Sequence, residues 1–121
     1  MDKAGKYVDG FVVPVPKGSI QAYKSFSEKA GRIWKEHGAL EYVECIADDV
    51  KPGKATSFPQ SVKLEADEIV VLSWIVHKSR EDRDRVNAAV MSDPRLKMDP
   101  KSMPFDGTRM FFGGFDVLLA L

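Results

Sequence analysis

The stretch Glu68–Lys78, EIVVLSWIVHK, decides the fold class, because it reads as a β-strand that is apolar on both faces. Side chains alternate between the two faces of a strand, so every second residue shares a face. One face carries Ile69, Val71, Ser73 and Ile75, and the other carries Val70, Leu72, Trp74 and Val76. A strand with one side in water would alternate apolar with polar residues. This pattern therefore predicts a central strand with both faces covered.

Before this strand the sequence predicts strand, helix and strand. Residues 6–15, KYVDGFVVPV, indicate a first strand, in which Pro14 favours an edge position or the strand end. A helix is predicted from Ser19 as N-cap to His37, followed by Gly38 at the C′ position. Residues 39–47 indicate a second strand. The twenty-residue connection 48–67 is too long for a simple hairpin, and residues 58–64 favour a short helix within it.

After the central strand the sequence predicts a helix, an irregular segment and a last strand. Ser79 is typical of an N-cap, and Asp93-Pro94 marks the end of that helix. Residues 95–107 are predicted irregular and residues 108–119 form the last strand, where Gly113-Gly114 indicates a bulge, a bend or a close backbone approach. The order β-α-β-β-α-β predicts an α+β, ferredoxin-like fold, with a four-stranded antiparallel sheet and both helices on one face.

In such a fold the second face of the sheet has no helix to cover it. An uncovered apolar face is an aggregation hazard or an interface, and a second copy of the chain is the simplest cover. The pattern therefore predicts a homodimer whose two sheets face each other. The alternative is that the long connection 48–67 folds over this face.

Size and composition fit one soluble domain. The 121 residues predict a single domain spanning 1–121, with residues 1–5 as a loose tail. Eighteen basic residues balance eighteen acidic ones, which argues against general binding to nucleic acid or anionic membranes. No apolar run has the length of a membrane helix, and one cysteine excludes an intrachain disulfide. We expect a cytoplasmic protein that binds neither membranes nor nucleic acid.

Several segments together resemble one known family. These are YVDGFVVPVP, WKEHGALEYVEC, SWIV followed by SR, RVNAAVMSDPR and MPFDGTRM with a later GGF. In combination they resemble the YbaA-like bacterial family, a domain of unknown function, from Tyr7 to about Leu119. The resemblance implies a dimeric α+β barrel, of the superfamily that includes cofactor-free monooxygenases, chlorite-dismutase-like proteins and stress-related barrels. It implies no catalytic residue.

The segment 34–45, WKEHGALEYVEC, carries the candidate catalytic groups. Glu41 shares a predicted strand face with apolar Val43, and Glu44 shares the other with Tyr42. A carboxylate among apolar neighbours needs a partner, and such a group suits general acid–base catalysis. His37 and Arg109 are the candidate partners, and with the two glutamates they form the predicted catalytic set. The alternative is that both glutamates lie at an open strand end in solvent.

Aromatic residues are the candidate walls of a ligand pocket. Trp34, Tyr42 and Trp74 would line it, and Phe105 would close its mouth. The alternative is that these residues are plain core. The two histidines lack metal-ligand spacing, and Cys45 lies in a strand where a small buried side chain is typical. We therefore expect no metal and no bound cofactor.

Two functions remain open from the sequence, and a third is less favoured. The first is a homodimer that binds a small apolar or aromatic molecule and acts on it as a cofactor-independent enzyme. The second is a non-catalytic, stress-related or structural dimer with a packed interior. RNA binding is the least favoured. A cavity of roughly 300 Å³ or more, lined by Glu41 or Glu44, would separate the first function from the second.

Overall fold

A computed structural model describes residues 6–121, so the predicted tail 1–5 lies outside the described residues. Residues 6–121 form four strands and three helices, with two short 3₁₀ turns, Pro94–Leu96 and Pro100–Ser102, before the last strand. The elements in order are β1 (Tyr7–Pro16), α1 (Ile20–His37), β2 (Glu41–Ile46), α2 (Phe58–Ser61), β3 (Glu68–His77), α3 (Arg80–Met91) and β4 (Phe111–Asp116). A 3₁₀ turn at Lys17–Ser19 leads into α1.

The four strands form one antiparallel sheet in the order β2-β3-β1-β4. This order confirms the ferredoxin-like prediction. β1 and β3 pair along their full length, from Tyr7 opposite His77 to Pro16 opposite Glu68. β4 pairs with β1 only as far as Val12, so Pro14 lies beyond the end of β4. Its missing N–H therefore costs no ladder hydrogen bond on that side.

Both long helices pack against the same face of the sheet. Tyr23 of α1 packs against Val13, Val15 and Val71 in the centre of this layer. The predicted helix ends are confirmed: Gly38 has φ 125° and donates its N–H to the Lys35 carbonyl at 3.1 Å. Ser79 Oγ accepts a hydrogen bond from the Asp82 N–H at 3.1 Å, which caps α3. Ser19 stands at the N-cap position of α1, although its side chain makes no capping bond.

The helix-free face of the sheet is partly covered by the long connection. Val62, just after α2, is 1% exposed and packs against Val12 and Val70. The connection therefore covers one end of this face, which agrees in part with the alternative that residues 48–67 fold over it. Elsewhere on the face Leu72 is 38% exposed, Phe111 46% and Phe115 64%. An apolar surface thus remains open on the helix-free side, which we call the open sheet face.

Gly114 allows a close approach between β4 and the helix layer. A Cβ built there would lie 2.6 Å from Arg83 Nη2 and as close to the ring of Tyr7. The pairing of β1 with β4 runs without interruption through Gly113 and Gly114, so the two glycines form no bulge.

Within residues 6–121, none of the helices is both long enough and apolar enough to cross a membrane.

Gly31 has a comparable role between α1 and β2. A Cβ at Gly31 would lie 2.6 Å from Cδ1 of Tyr42, so the tyrosine ring rests directly on the helix backbone. Alanine usually stabilises a helix interior by about 1 kcal/mol relative to glycine. Here a side chain would push the Tyr42 ring out of its position, and overpacking of this kind costs about 1–3 kcal/mol.

We therefore expect Gly31→Ala to lower the melting temperature, measured by circular dichroism, although the substitution favours a helix. Gly18→Ala is the matched control, because nothing lies within 4 Å of a Cβ at that position. Its melting temperature should stay close to that of the wild type. A Gly31→Ala variant as stable as the wild type would show that Tyr42 does not pack on this helix.

Candidate functional site

The two candidate glutamates of β2 lie on opposite faces of the sheet. Glu44 is opposite Ser73 of β3, on the face that carries the helices, and it is half-buried. Glu41 is opposite Val76, on the helix-free side, and it is exposed at the start of the strand. Glu41 is therefore exposed to solvent, as the alternative predicted, and borders an open surface groove of about 910 Å³ beside α1. Of the two glutamates, only Glu44 lines the more enclosed space between sheet and helix.

Two tyrosine hydroxyls hold the Glu44 carboxylate. Tyr23 of α1 donates to Glu44 Oε1 at 2.7 Å, and Tyr42 of β2 donates to Glu44 Oε2 at 2.9 Å. Tyr42 and Glu44 are two residues apart on a strand, so their side chains lie side by side on one face. Each carboxylate oxygen thus has one phenol donor. Within residues 6–121 Glu44 makes no ion pair with Lys, Arg or His.

Both phenols are held in the protonated form. Burial raises the pKa of Tyr23 far above its usual value, and the negative charge of Glu44 raises it further. Burial and then Glu44 raise the pKa of Tyr42 in the same way. The two hydroxyls therefore remain hydrogen-bond donors at neutral pH, and the negative charge of the site belongs to Glu44 alone.

A cleft of about 450 Å³ opens beside these three residues, between α1 and β2. Its lining is mainly apolar, with Ile20, Ile46 and Val71 beside the tyrosines. A second cavity of about 120 Å³ adjoins it below Tyr23, Tyr42 and Glu44. A cleft of about 450 Å³ is large enough for a small organic molecule, and a few polar groups on its wall can fix the orientation of the ligand.

Ser27 borders both spaces and has an unused hydroxyl. It lies one helical turn after Tyr23 on α1 and is 4% exposed. Its Oγ lies close enough to the Tyr23 and Tyr42 hydroxyls to lower the pKa of both phenols, but it forms no hydrogen bond of good geometry in the described part of the chain. A buried hydroxyl without a partner is costly, and an incoming ligand or water molecule can satisfy it. Glu44, Tyr23, Tyr42 and Ser27 are therefore the polar groups of the candidate site, which we call the Glu44 cleft.

His37 does not reach the Glu44 cleft. Its Nε2 lies 2.9 Å from Asp93 Oδ2, in the segment that follows α3. Arg95 also pairs with Asp93, and these hydrogen bonds, Arg95 first and His37 second, hold the pKa of Asp93 well below its usual range. The His37–Asp93 contact ties the end of α1 to the end of α3. The pairing of His37 with Glu41 or Glu44 that we expected is not formed.

Arg109 is likewise engaged elsewhere. Its guanidinium forms an ion pair with Glu68 at the start of β3 and a second one, at 2.8 Å, with Asp106. It also donates to the backbone carbonyls of Val62 at 3.2 Å and Lys63 at 3.1 Å. Arg109 therefore anchors the end of the long connection rather than serving as the charge partner of Glu44. The structure brings Glu44 together with tyrosines and not with the predicted cations.

The four predicted wall residues divide between three places. Tyr42 lines the Glu44 cleft. Phe105 packs edge-on against Tyr23, with ring centroids 5.7 Å apart, and borders the smaller cavity. Trp34 packs edge-on against the buried His77 at 6.2 Å. Trp74 is opposite Gly10 and Val43, residues of the helix-free face, and also borders the smaller cavity.

Tyr23, Ser27 and Gly31 were not predicted as site residues. They recur every four residues along α1, so they form one stripe on the helix. In the sequence this stripe looks like a core face. A serine and a glycine on a core stripe are the signal that could have indicated a cleft.

Within residues 6–121 no three His, Cys, Asp or Glu side chains are arranged to hold a metal ion.

Comparison with known proteins identifies the family of this chain. Residues 6–107 match the family described as "Protein of unknown function (DUF1428)". The chain belongs to that family. It is 53% identical over 114 residues to "Uncharacterized protein YbaA" of Escherichia coli strain K12, which covers 94% of this chain and 97% of that protein. The protein of the same name from Shigella flexneri matches with the same identity and coverage.

Solved structures with low sequence identity share the fold. A dimeric ferredoxin-like protein from an uncultured marine organism superposes with a TM-score of 0.61 at 14% identity, covering 96% of this chain and 98% of that one. An uncharacterized NIPSNAP-like domain protein from Burkholderia xenovorans gives a TM-score of 0.54 at 11% identity, covering 96% and 86%. At such low identity the likeness extends to the fold alone.

The position of Arg109 predicts how acid affects stability. The Arg109 hydrogen bonds lower the pKa of Glu68, and the Thr108 and Arg109 hydrogen bonds lower the pKa of Asp106 to about 2. A carboxylate with a lowered folded-state pKa stabilises the fold above its unfolded pKa of about 4. That stabilisation is lost as the pH falls from about 4 towards 2.

We expect Arg109→Met to lower the melting temperature by several degrees at pH 7, because buried Glu68 loses its partner. The difference from the wild type should shrink as the pH falls from about 4 to 2, since protonated carboxyls no longer need the cation. Arg80→Met is the control, because its side chain is 71% exposed and its ion pair is at 4.0 Å. A difference that stays constant over this range would contradict the assignment.

Proposed function

We propose that this protein is a homodimer that binds a small apolar or aromatic molecule in the Glu44 cleft, with the Glu44 carboxylate as acceptor for a proton-bearing group of that molecule. The observation that carries the proposal is the position of Glu44. Its carboxylate lies on the wall of a mainly apolar cleft of about 450 Å³, held by two phenol donors.

The size and lining of the cleft favour binding over a packed interior. A cavity of roughly 300 Å³ lined by a candidate carboxylate was the feature expected of a binding protein, and this cleft exceeds that volume. A purely structural dimer has no need of an unsatisfied Ser27 hydroxyl and a carboxylate beside an open space. These features support binding, and the balanced charge gives RNA binding no support.

The open sheet face supports the homodimer. Leu72, Phe111 and Phe115 are exposed together on the side opposite the long helices α1 and α3. A second copy would cover them sheet to sheet, and the ferredoxin-like structure from the marine organism is described as dimeric. The Glu44 cleft lies on the opposite, helix side of the sheet, so pairing through this face leaves the cleft accessible. The single cysteine agrees with a reducing compartment, and we propose the cytoplasm.

We expect the wild type to sediment as a dimer at micromolar concentration and Phe115→Glu to sediment as a monomer, because the new charge would be buried in the interface. Met91→Glu is the matched control. Met91 is 72% exposed on α3, in the helix layer, so its replacement should leave the dimer intact. A monomeric wild type, or a dimeric Phe115→Glu variant, would contradict the proposed interface.

Ligand binding is tested by NMR with a library of small aromatic compounds. We expect binders to shift the resonances of Tyr23, Ser27 and Tyr42, and Ser27→Leu to abolish these shifts by filling the cleft. Ser102→Leu is the control, since Ser102 is exposed in a 3₁₀ turn far along the chain. Circular dichroism verifies that both variants fold. Compounds that bind the Ser27→Leu variant as well as the wild type would place their site elsewhere.

A second function, catalysis without a bound cofactor, rests on the same carboxylate. A half-buried Glu44 within hydrogen-bond reach of the ligand is placed to abstract a proton from it. Compounds that bind are therefore incubated with the protein and analysed for conversion. Turnover that Glu44→Gln abolishes would support catalysis, and turnover that this variant retains would exclude Glu44 as the base.

A further inference from the structure

Within residues 6–121 no cationic side chain compensates the charge of the Glu44 cleft. Glu44 is half-buried, and its two described hydrogen-bond partners are neutral phenols. No cationic side chain of residues 6–121 forms an ion pair with it. A carboxylate withdrawn from water is stabilised by an opposite charge much more than by neutral donors.

The other charged residues of the cleft lie at its rim. Lys24 and Glu28 are both exposed there, one helical turn apart on α1. Glu28 already pairs with Arg32 at 2.7 Å, and this hydrogen bond holds the pKa of Glu28 below its usual value. Charges exposed to water are screened, so Lys24 affects the interior of the cleft only weakly. The inner wall therefore presents one uncompensated negative charge.

We propose that the ligand of the Glu44 cleft is a small organic cation, with a protonated amine on an apolar or aromatic body. The inference rests on the proposed binding function and specifies its ligand. An anionic ligand would be repelled by Glu44, and a neutral one would leave its charge uncompensated. A cation of this kind supplies the missing partner of the carboxylate.

The remaining polar and apolar groups agree with an ammonium ion. An ammonium group has three donors and no acceptor. The two Glu44 oxygens retain free lone pairs after accepting from Tyr23 and Tyr42. The Ser27 hydroxyl, close to both phenols but without a well-formed hydrogen bond, is a further acceptor beside them. The apolar body of the ligand would lie against Ile20 and Val71 towards the opening. A volume of about 450 Å³ accommodates one or two rings with a short chain.

Three probes of one shape and different charge test the inference. These are phenethylamine, 2-phenylethanol and phenylacetate, measured by calorimetry or NMR titration at pH 7 and low salt with the intact protein. We expect phenethylamine to bind at least about tenfold more tightly than 2-phenylethanol, because a charge-assisted hydrogen bond is about twice as strong as a neutral one. Phenylacetate should bind most weakly, and added salt should weaken only the binding of the amine.

Glutamine variants of the carboxylates test whether Glu44 causes the preference for phenethylamine. Glu44→Gln should weaken phenethylamine binding about tenfold and leave 2-phenylethanol within about threefold. Glu81→Gln, exposed on α3 and outside the cleft, is the matched control and should change neither. Glu28→Gln measures the contribution of the rim, which we expect to be smaller than that of Glu44→Gln. Equal binding of amine and alcohol to the cleft would overturn the cation inference and leave the binding function standing. Failure of all three probes to bind would overturn both, and a Glu28→Gln effect equal to that of Glu44→Gln would place the amine at the rim and overturn the cation site.

Discussion

The pairing of β1 with β3 is the constraint on which the rest of the structure depends. Ten residues of each strand are matched in one antiparallel register, and β2 and β4 extend the sheet from either side. Because side chains alternate along a strand, a shift of one residue would exchange the two faces. In the observed register Ser73 lies under the helices, so its neighbour Glu44 does as well. Leu72 and Trp74 are directed to the helix-free side by the same register.

This arrangement separates two surfaces with different properties. The helix side contains the Glu44 cleft, in which buried phenols hold a single carboxylate beside an apolar space. The other side offers exposed Leu72, Phe111 and Phe115 for contact with a second copy. Since a sheet separates them, the proposed dimer interface and the proposed ligand site do not compete for one surface. Gly31 allows Tyr42 to pack close to α1, which brings α1 and β2 together around Glu44.

The sequence predicted the elements of the fold from local patterns. The apolar alternation of β3, the glycine at 38 and the serine at 79 depend on near neighbours, so strand faces and helix ends could be recognised. The family resemblance pointed to the same fold and is confirmed. The last strand is shorter than predicted, because β1 starts at Tyr7 and its pairing with β4 ends at Asp116.

The candidate site was predicted only in part, because its contacts join distant segments. Glu44 could be placed among apolar neighbours from strand alternation, but its donor Tyr23 lies 21 residues earlier. Arg109 pairs with Glu68 at the start of β3 and His37 with Asp93 after α3, and no periodicity indicates these pairs. The packing of Val62 on the helix-free face also joins distant segments, so no periodic pattern could indicate it.

We propose that the Glu44 cleft remains open in the dimer and admits a ligand at the carboxylate. A crystal structure of the dimer, with the crystals soaked in an aromatic amine, tests this proposal. We expect an open cleft with ligand density within hydrogen-bond distance of the Glu44 carboxylate. A cleft filled by side chains of the same chain or by the partner protomer would show the proposal to be wrong.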